Sequence, residues 1–152
     1  MNTKRLTPAA VVALMLSGCA VQPDRTYAET FGRSRQPTPV QTLIVQKFRA
    51  ELGEKWVKPA LRIAKIESGF NCRARNGKAI GLFQFTAPER WGLSRHRAMN
   101  CNANVDAAVR YAKHCVAMGA TNFAHLGRCW NSGQPFSHVR LEPAYRLALG
   151  RR

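Results

Sequence analysis

Val105, Ala108, Val109, Ala112 and Val116 recur at the spacing of one helical face. No other feature constrains the fold as much, because this pattern commits the middle of the chain to helix. Asn104 is the expected N-cap and Gly119 the stop. Leu43, Ile44, Phe48 and Leu52 form another such face, closed by Gly53. A further helix is expected from Pro59 through Leu61, Ile63, Ala64 and Ile66 to Ser68, with Gly69 ending it. Thr121 to Trp130 reads as helix before Asn131-Ser132-Gly133, and a last one starts near Pro143 with Tyr145, Leu147 and Leu149. Thr86-Ala87-Pro88-Glu89 reads as a capping box opening a short helix, which gives Glu89 a structural job. The sole strand signal is Asn76-Gly77, a hairpin turn between Arg73-Ala74-Arg75 and Lys78-Ala79-Ile80. The expected class is α+β, mostly helical, with a small β-hairpin.

The ends of the chain place it. Lys4 and Arg5 precede a short apolar stretch, Ala9 to Leu16, the layout of a secretory signal. It falls far below the roughly 20 residues of a membrane span. It runs into Leu16-Ser17-Gly18-Cys19, which resembles the lipobox of bacterial lipoproteins, where cleavage leaves the cysteine as a lipidated N-terminus. On this reading residues 1–18 are a signal peptide and Cys19 is lipidated. Residues 19–40, with Pro23, Pro37 and Pro39 and no apolar period, form the lipidated start and a tether. Residues 41–152 form the folded domain. Ala20 after the cysteine implies the periplasmic face of the outer membrane. A plain signal peptide with an incidental cysteine is the competing reading.

The formal charge is +16, from 24 Lys and Arg against 8 Asp and Glu. Such a balance implies polyanionic company: nucleic acid, an anionic membrane, or an acidic polymer such as a cell wall. No Lys/Arg run exceeds two residues, unlike a nucleic-acid arm, and no nucleic acid is expected as partner. Cys72, Cys101, Cys115 and Cys129 are an even count in an exported domain and argue for disulfides. Three connectivities are open, and the pairing taken forward is Cys72–Cys101 with Cys115–Cys129. Neither these cysteines nor His96, His114, His125 and His138 have metal-ligand spacing. No metal or cofactor is expected. His114 beside Cys115 is no catalytic pair, since neighbours on a helix do not face each other.

Glu67 is the residue that carries chemistry. It falls in the last turn of an apolar helix, where the macrodipole disfavours its charge and burial adds to that. A carboxyl kept protonated near neutral pH is what a general acid requires. A surface glutamate near a helix end is the bland alternative.

Glu67-Ser68-Gly69-Phe70, Gly81-Leu82-Phe83-Gln84-Phe85, Asn104-Val105-x-x-Ala108-x-x-Tyr111 and Trp130-Asn131-Ser132-Gly133 follow in order. Together they resemble the soluble-lytic-transglycosylase domain, a lysozyme-like fold that cleaves bacterial peptidoglycan, over about residues 55 to 135. The family pattern is E-S-x-F, G-L-M-Q, N-I-x-x-G-x-x-Y and A-Y-N-A-G. This chain departs from it at Phe83 for Met, Ala108 for Gly and Cys72 where Pro is frequent. It also has Trp130 for a Tyr whose hydroxyl sits near the catalytic Glu. An indole N–H donates a hydrogen bond but cannot accept one.

The resemblance implies a lyase that cuts the β-1,4 bond between MurNAc and GlcNAc and leaves a 1,6-anhydromuramoyl end. Glu67 is its single acid and base, unlike the carboxylate pair of most glycosidases. Ser68 would orient Glu67; Asn76 and Gln84 would bind sugar N-acetyl or hydroxyl groups. Gly81 would let backbone approach the glycan, and Asn104, Tyr111, Trp130 and Asn131 would complete the cleft. Each has a plainer role: Ser68 closes a helix, Asn76 makes a turn, Gly81 relieves strain, Asn104 caps, and Tyr111 and Trp130 fill the core. Of the other acids, Glu89 and Asp106 are expected at helix N-termini, and Glu51, Glu54 and Glu142 at helix ends outside the motifs. Expected partners are glycan strands, a membrane through the lipid anchor, and secretion or conjugation machinery, for a monomer. The alternatives are a hydrolytic muramidase, favoured if Glu89 faces the cleft, and a degenerate peptidoglycan-binding lipoprotein, to which Trp130 lends weight.

Overall fold

The structure is a computed structural model that describes residues 36–138 and 140–150. The signal segment, Cys19 and most of the tether lie outside the described residues. Helix α1 spans Pro39–Leu52 and is opened by a capping box. Thr38 Oγ1 accepts from the Gln41 amide at 3.3 Å, and Gln41 Oε1 accepts from the Thr38 amide at 2.7 Å. The helix therefore starts two residues before the boundary expected at 41. Gly53, at φ +90°, ends it, and a 3₁₀ turn over Glu54–Trp56 feeds α2, Val57–Ser68.

Strands β1 (Arg75–Asn76) and β2 (Ala79–Ile80) form an antiparallel pair, Arg75 opposite Ile80 and Asn76 opposite Ala79. The loop is therefore Gly77-Lys78, one residue later than the expected Asn76-Gly77. Gly77 supplies the positive φ, +57°, that begins the turn. Two 3₁₀ turns follow, at Pro88–Trp91 and Arg97–Met99, then α3 (Cys101–Ala117), α4 (Phe123–Ser132) and α5 (Pro143–Ala148). Among the described residues the fold is mostly helical with this one small antiparallel sheet, as the periodicity predicts.

Three expectations need correction. The N-cap of α3 is Asn100, whose Oδ1 accepts from the Ala103 amide at 3.0 Å. Asn104 lies a turn further in and is fully buried. The apolar face begins at Val105, but the polar residues before it already belong to the helix. Asp106 consequently sits in the second turn, where it pairs with Lys47 at 2.8 Å. No capping box forms at Thr86: the turn after it is a single 3₁₀ turn that begins from Ala87 without a side-chain cap.

The core lies where α1, α2 and α3 meet, around Ile44, Phe48, Leu61, Val105, Ala108 and Ala112, all fully buried. Lys47–Asp106 and Glu51–Lys113 (2.5 Å) bind the exposed edges of α1 and α3. Such surface pairs contribute little. The cysteines pair as taken forward. Cys72–Cys101 fastens the loop after α2 to the start of α3, and Cys115–Cys129 fastens α3 to α4.

Each bridge should stabilise the domain by about 3 kcal/mol through the entropy it removes from the unfolded chain. Replacing Cys115 and Cys129 together by Ser should lower unfolding free energy by about that amount in urea titration. An unchanged midpoint would show that α3 and α4 need no covalent link.

Candidate active site

Glu67 occupies the last turn of α2. Gly69 ends the helix at φ +60°, and its amide returns to the Lys65 carbonyl at 3.0 Å. The helix end is also fixed sideways: Ser68 Oγ donates to the Leu82 carbonyl at 2.7 Å and to Ala64 O at 3.3 Å. Ser68 thus holds the segment across from Glu67 and makes no bond to Glu67 itself. Burial pushes the Glu67 carboxyl up to about 7, and the nearby charge of Glu142 adds to this; a hydrogen bond from Tyr145 opposes it.

Tyr145 was invisible as a site residue in the sequence. Its hydroxyl donates to Glu67 Oε1 at 2.5 Å, from a ring that is 1% exposed. The ring lies against the backbone of α4 at Gly127. A Cβ on residue 127 would come within 2.9 Å of Tyr145 Cδ1, a separation that real Cβ atoms do not tolerate. Phe123 stacks on the ring, centroids 6.2 Å apart. Burial and the neighbouring Glu67 hold the Tyr145 hydroxyl well above its ordinary value, so it remains a donor across the neutral range. Trp130 donates its indole N–H to the Phe83 carbonyl at 3.2 Å. A phenol near Glu67 is therefore present, supplied from a different place in the chain. No local pattern around Pro143-Ala144-Tyr145 marks it, because the contact joins residues 78 positions apart.

The opposite wall is the strap from Gly81 to Phe85. Gly81 takes φ +84°, and a Cβ there would meet the Ala98 carbonyl at 2.1 Å and Asn104 Nδ2 at 2.2 Å. Its bareness serves this internal approach, and it does not line the cleft. Asn104 Oδ1 accepts from the Phe83 amide at 3.0 Å while Nδ2 donates to Ala98 O at 2.7 Å. Among the described residues Gln84 is one of two non-glycine residues with positive φ, +49°, a conformation that costs about 1 kcal/mol or more. Its amide nitrogen donates to Gly81 O at 2.8 Å and Ala74 O at 3.2 Å, which fixes the side chain and leaves Oε1 to offer as an acceptor.

A cleft of about 670 Å³ runs between these walls. Glu67, Glu142, Asn76, Gln84 and Arg90 all line it. Trp91, Tyr111 and Trp130 form a continuous aromatic surface within it, with centroids 4.5 Å (Trp91–Tyr111) and 4.6 Å (Tyr111–Trp130) apart. Tyr111 donates to the Cys129 carbonyl at 2.5 Å, and burial pushes its hydroxyl up to about 12. Asn131, also at the cleft, donates to Gly127 O at 2.9 Å. Of the expected site residues, Glu67, Asn76, Gln84, Tyr111, Trp130 and Asn131 come together here. Ser68, Gly81 and Asn104 stand behind the wall and hold it. Among the described residues no group of three or more His, Cys, Asp and Glu side chains is placed to hold a metal.

The electrostatics predict opposite responses. Tyr145→Phe removes the hydrogen bond that favours the charged carboxylate, so the Glu67 pKa should rise above about 7. Gly127→Ala, which displaces the same ring, should move it in the same direction. Glu142→Gln removes a like charge and should lower it. Carbon-13 NMR titration of the Glu67 carboxyl reads all three, and a common direction for Tyr145→Phe and Glu142→Gln would contradict this account. Neither a protein-family profile, nor a curated protein, nor a solved structure matches the chain, so the chemistry of this cleft is argued from its own geometry.

Proposed function

We propose that this protein is a peptidoglycan lytic transglycosylase with a lysozyme-like fold, carried on a lipidated Cys19 at the periplasmic face of the outer membrane. The observation that carries the reading is the state of Glu67: a carboxyl pushed up to about 7 by burial, hydrogen-bonded by Tyr145, at the edge of an aromatic and amide-lined cleft. Protonated near neutral pH, it can give its proton to a glycosidic oxygen. The substrate's own N-acetyl group then stabilises the cation at C1. The resulting carboxylate accepts the proton of the C6 hydroxyl as that oxygen attacks C1, which closes the 1,6-anhydro ring. Tyr145 is suited to both halves, since its hydroxyl stabilises the carboxylate between the two proton transfers.

The other acids fit one-carboxylate chemistry in part. Glu51, Asp106 and Glu54 are paired with Lys113, Lys47 and Arg49 away from the cleft. Glu89 is exposed and does not line it. Glu142 does line it, close enough to act on Glu67. That single observation keeps the hydrolytic muramidase as a second reading, with Glu142 rather than Glu89 as the base for water. The degenerate-site reading leaned on the tyrosine missing at position 130, and Tyr145 brings a phenol to Glu67 from elsewhere in the chain.

Digestion of purified sacculi followed by mass spectrometry separates the two enzymes. Transglycosylation gives anhydro ends, survives Glu142→Gln and is abolished by Glu67→Gln. Reducing ends that vanish in Glu142→Gln would establish the muramidase, and turnover persisting in Glu67→Gln would end both.

Glu67 also ties function to stability. Its pKa is raised from an ordinary 4.5 to about 7 in the fold, so its contribution favours the fold fully below about pH 4.5 and is lost as pH rises through 7. Glu67→Gln keeps a neutral group there. The variant should gain on the wild type between those pH values and be more stable at pH 8 by about 1–3 kcal/mol. Thermal melts at pH 4 and pH 8 measure this, and a variant equally offset at both would show that Glu67 is not held neutral.

A further inference from the structure

We infer that Trp91, His114 and Arg90 form a second sugar subsite in the cleft, one that takes a pyranose bearing a carboxylate. This rests on the glycan-cleaving reading and names what that cleft would select. Trp91 is half-buried at the end of the Pro88–Trp91 turn, with its ring 4.5 Å from Tyr111 and 5.3 Å from the imidazole of His114. All three line the cleft. The turn is anchored from behind. Arg110 donates to the Trp91 carbonyl from Nε at 2.9 Å and Nη2 at 2.7 Å, and Gly92 closes the turn at φ +67°. An indole fixed in this way and open along the cleft offers a flat apolar face that suits the C–H face of a pyranose.

Arg90 precedes it and gives the subsite a charge. In a chain of net charge +16, Arg90 is the one Lys or Arg that lines the cleft among the described residues. Arg62, Arg95, Arg110 and Arg128 each donate to backbone carbonyls and Arg49 pairs with Glu54, whereas the guanidinium groups of Arg73, Arg97 and Arg140 make no such bond to a described residue but do not line the cleft. The guanidinium of Arg90 makes no hydrogen bond or ion pair to any described residue and is exposed. Nor is Arg90 among the charges that act on Glu67, whereas Glu142 is. The cleft thus holds both carboxyl groups and an unengaged planar cation. A guanidinium recognises a carboxylate through paired N–H donors. In peptidoglycan that carboxylate comes either from the lactyl ether of a muramic sugar or from its stem peptide.

Binding to the full chain carrying Glu67→Gln, which does not consume its ligand, tests this by calorimetry. The probes are chitotetraose, which is neutral; peptide-stripped glycan tetrasaccharide, which carries free lactyl carboxylates; and the same tetrasaccharide with stem peptides. Adding Arg90→Gln should weaken at least one anionic probe about tenfold relative to chitotetraose, the size of one charge-assisted hydrogen bond. Arg90→Lys should recover part of the loss. Loss on the stripped probe assigns the lactyl carboxylate; loss confined to the peptide-bearing probe assigns the stem. Equal effects on chitotetraose and both anionic probes, or no effect on any, would overturn the subsite while leaving glycan cleavage standing. A parent chain that binds none of the three would remove the glycan reading and this subsite with it.

Discussion

The strap at Leu82 and Phe83 is held by side chains from three helices, and the cleft depends on that arrangement. Both residues are fully buried without belonging to a helix or strand, so their backbone groups need partners that no regular ladder supplies. Ser68 at the end of α2 donates to the Leu82 carbonyl, Asn104 in α3 accepts from the Phe83 amide, and Trp130 in α4 donates to the Phe83 carbonyl. The helices are thereby referenced to one short segment, and Glu67, Gln84 and the aromatic surface are positioned by the same bonds. Loss of one pin leaves a buried polar group unsatisfied, which costs about 1–3 kcal/mol. Motif residues therefore need not touch substrate to matter: several of them build the wall.

The groups that act on Glu67 come from the last helix among the described residues and the residue before it. Tyr145 reaches Glu67 because residue 127 has no side chain, so the ring rests on the α4 backbone. The same short α5 segment is preceded by Glu142, which acts on Glu67 with the opposite sign. One element thus both supports and opposes ionisation of the carboxyl, and burial decides the balance in favour of the protonated form. A stability cost at alkaline pH accompanies that choice, as expected where a charge is kept out of water for function.

Charge is distributed with a similar division. Glu51, Glu54 and Asp106 are held in pairs with cations between α1 and α3 or at the end of α1. Among the described residues Arg90 is the one Lys or Arg that lines the cleft, and its guanidinium makes no hydrogen bond or ion pair there.

The sequence by itself determined the helices, their glycine stops, the hairpin and the carboxyl of Glu67 in the last turn of an apolar helix. All of these follow from local periodicity and backbone preference, which act over a few residues. It also contained the aromatic and amide residues of the cleft, though not their division of labour. Asn104 reads as a cap or a ligand in one dimension; only its burial between Phe83 and Ala98 makes it a pin. Ser68 and Gly81 changed roles for the same reason. Tyr145, Gly127 and Glu142 were decided by tertiary structure alone, because the hydrogen bond, the missing Cβ and the facing charge join segments far apart in sequence. Local rules carry no information about such contacts, and in this protein those contacts, together with burial, govern the protonation of Glu67.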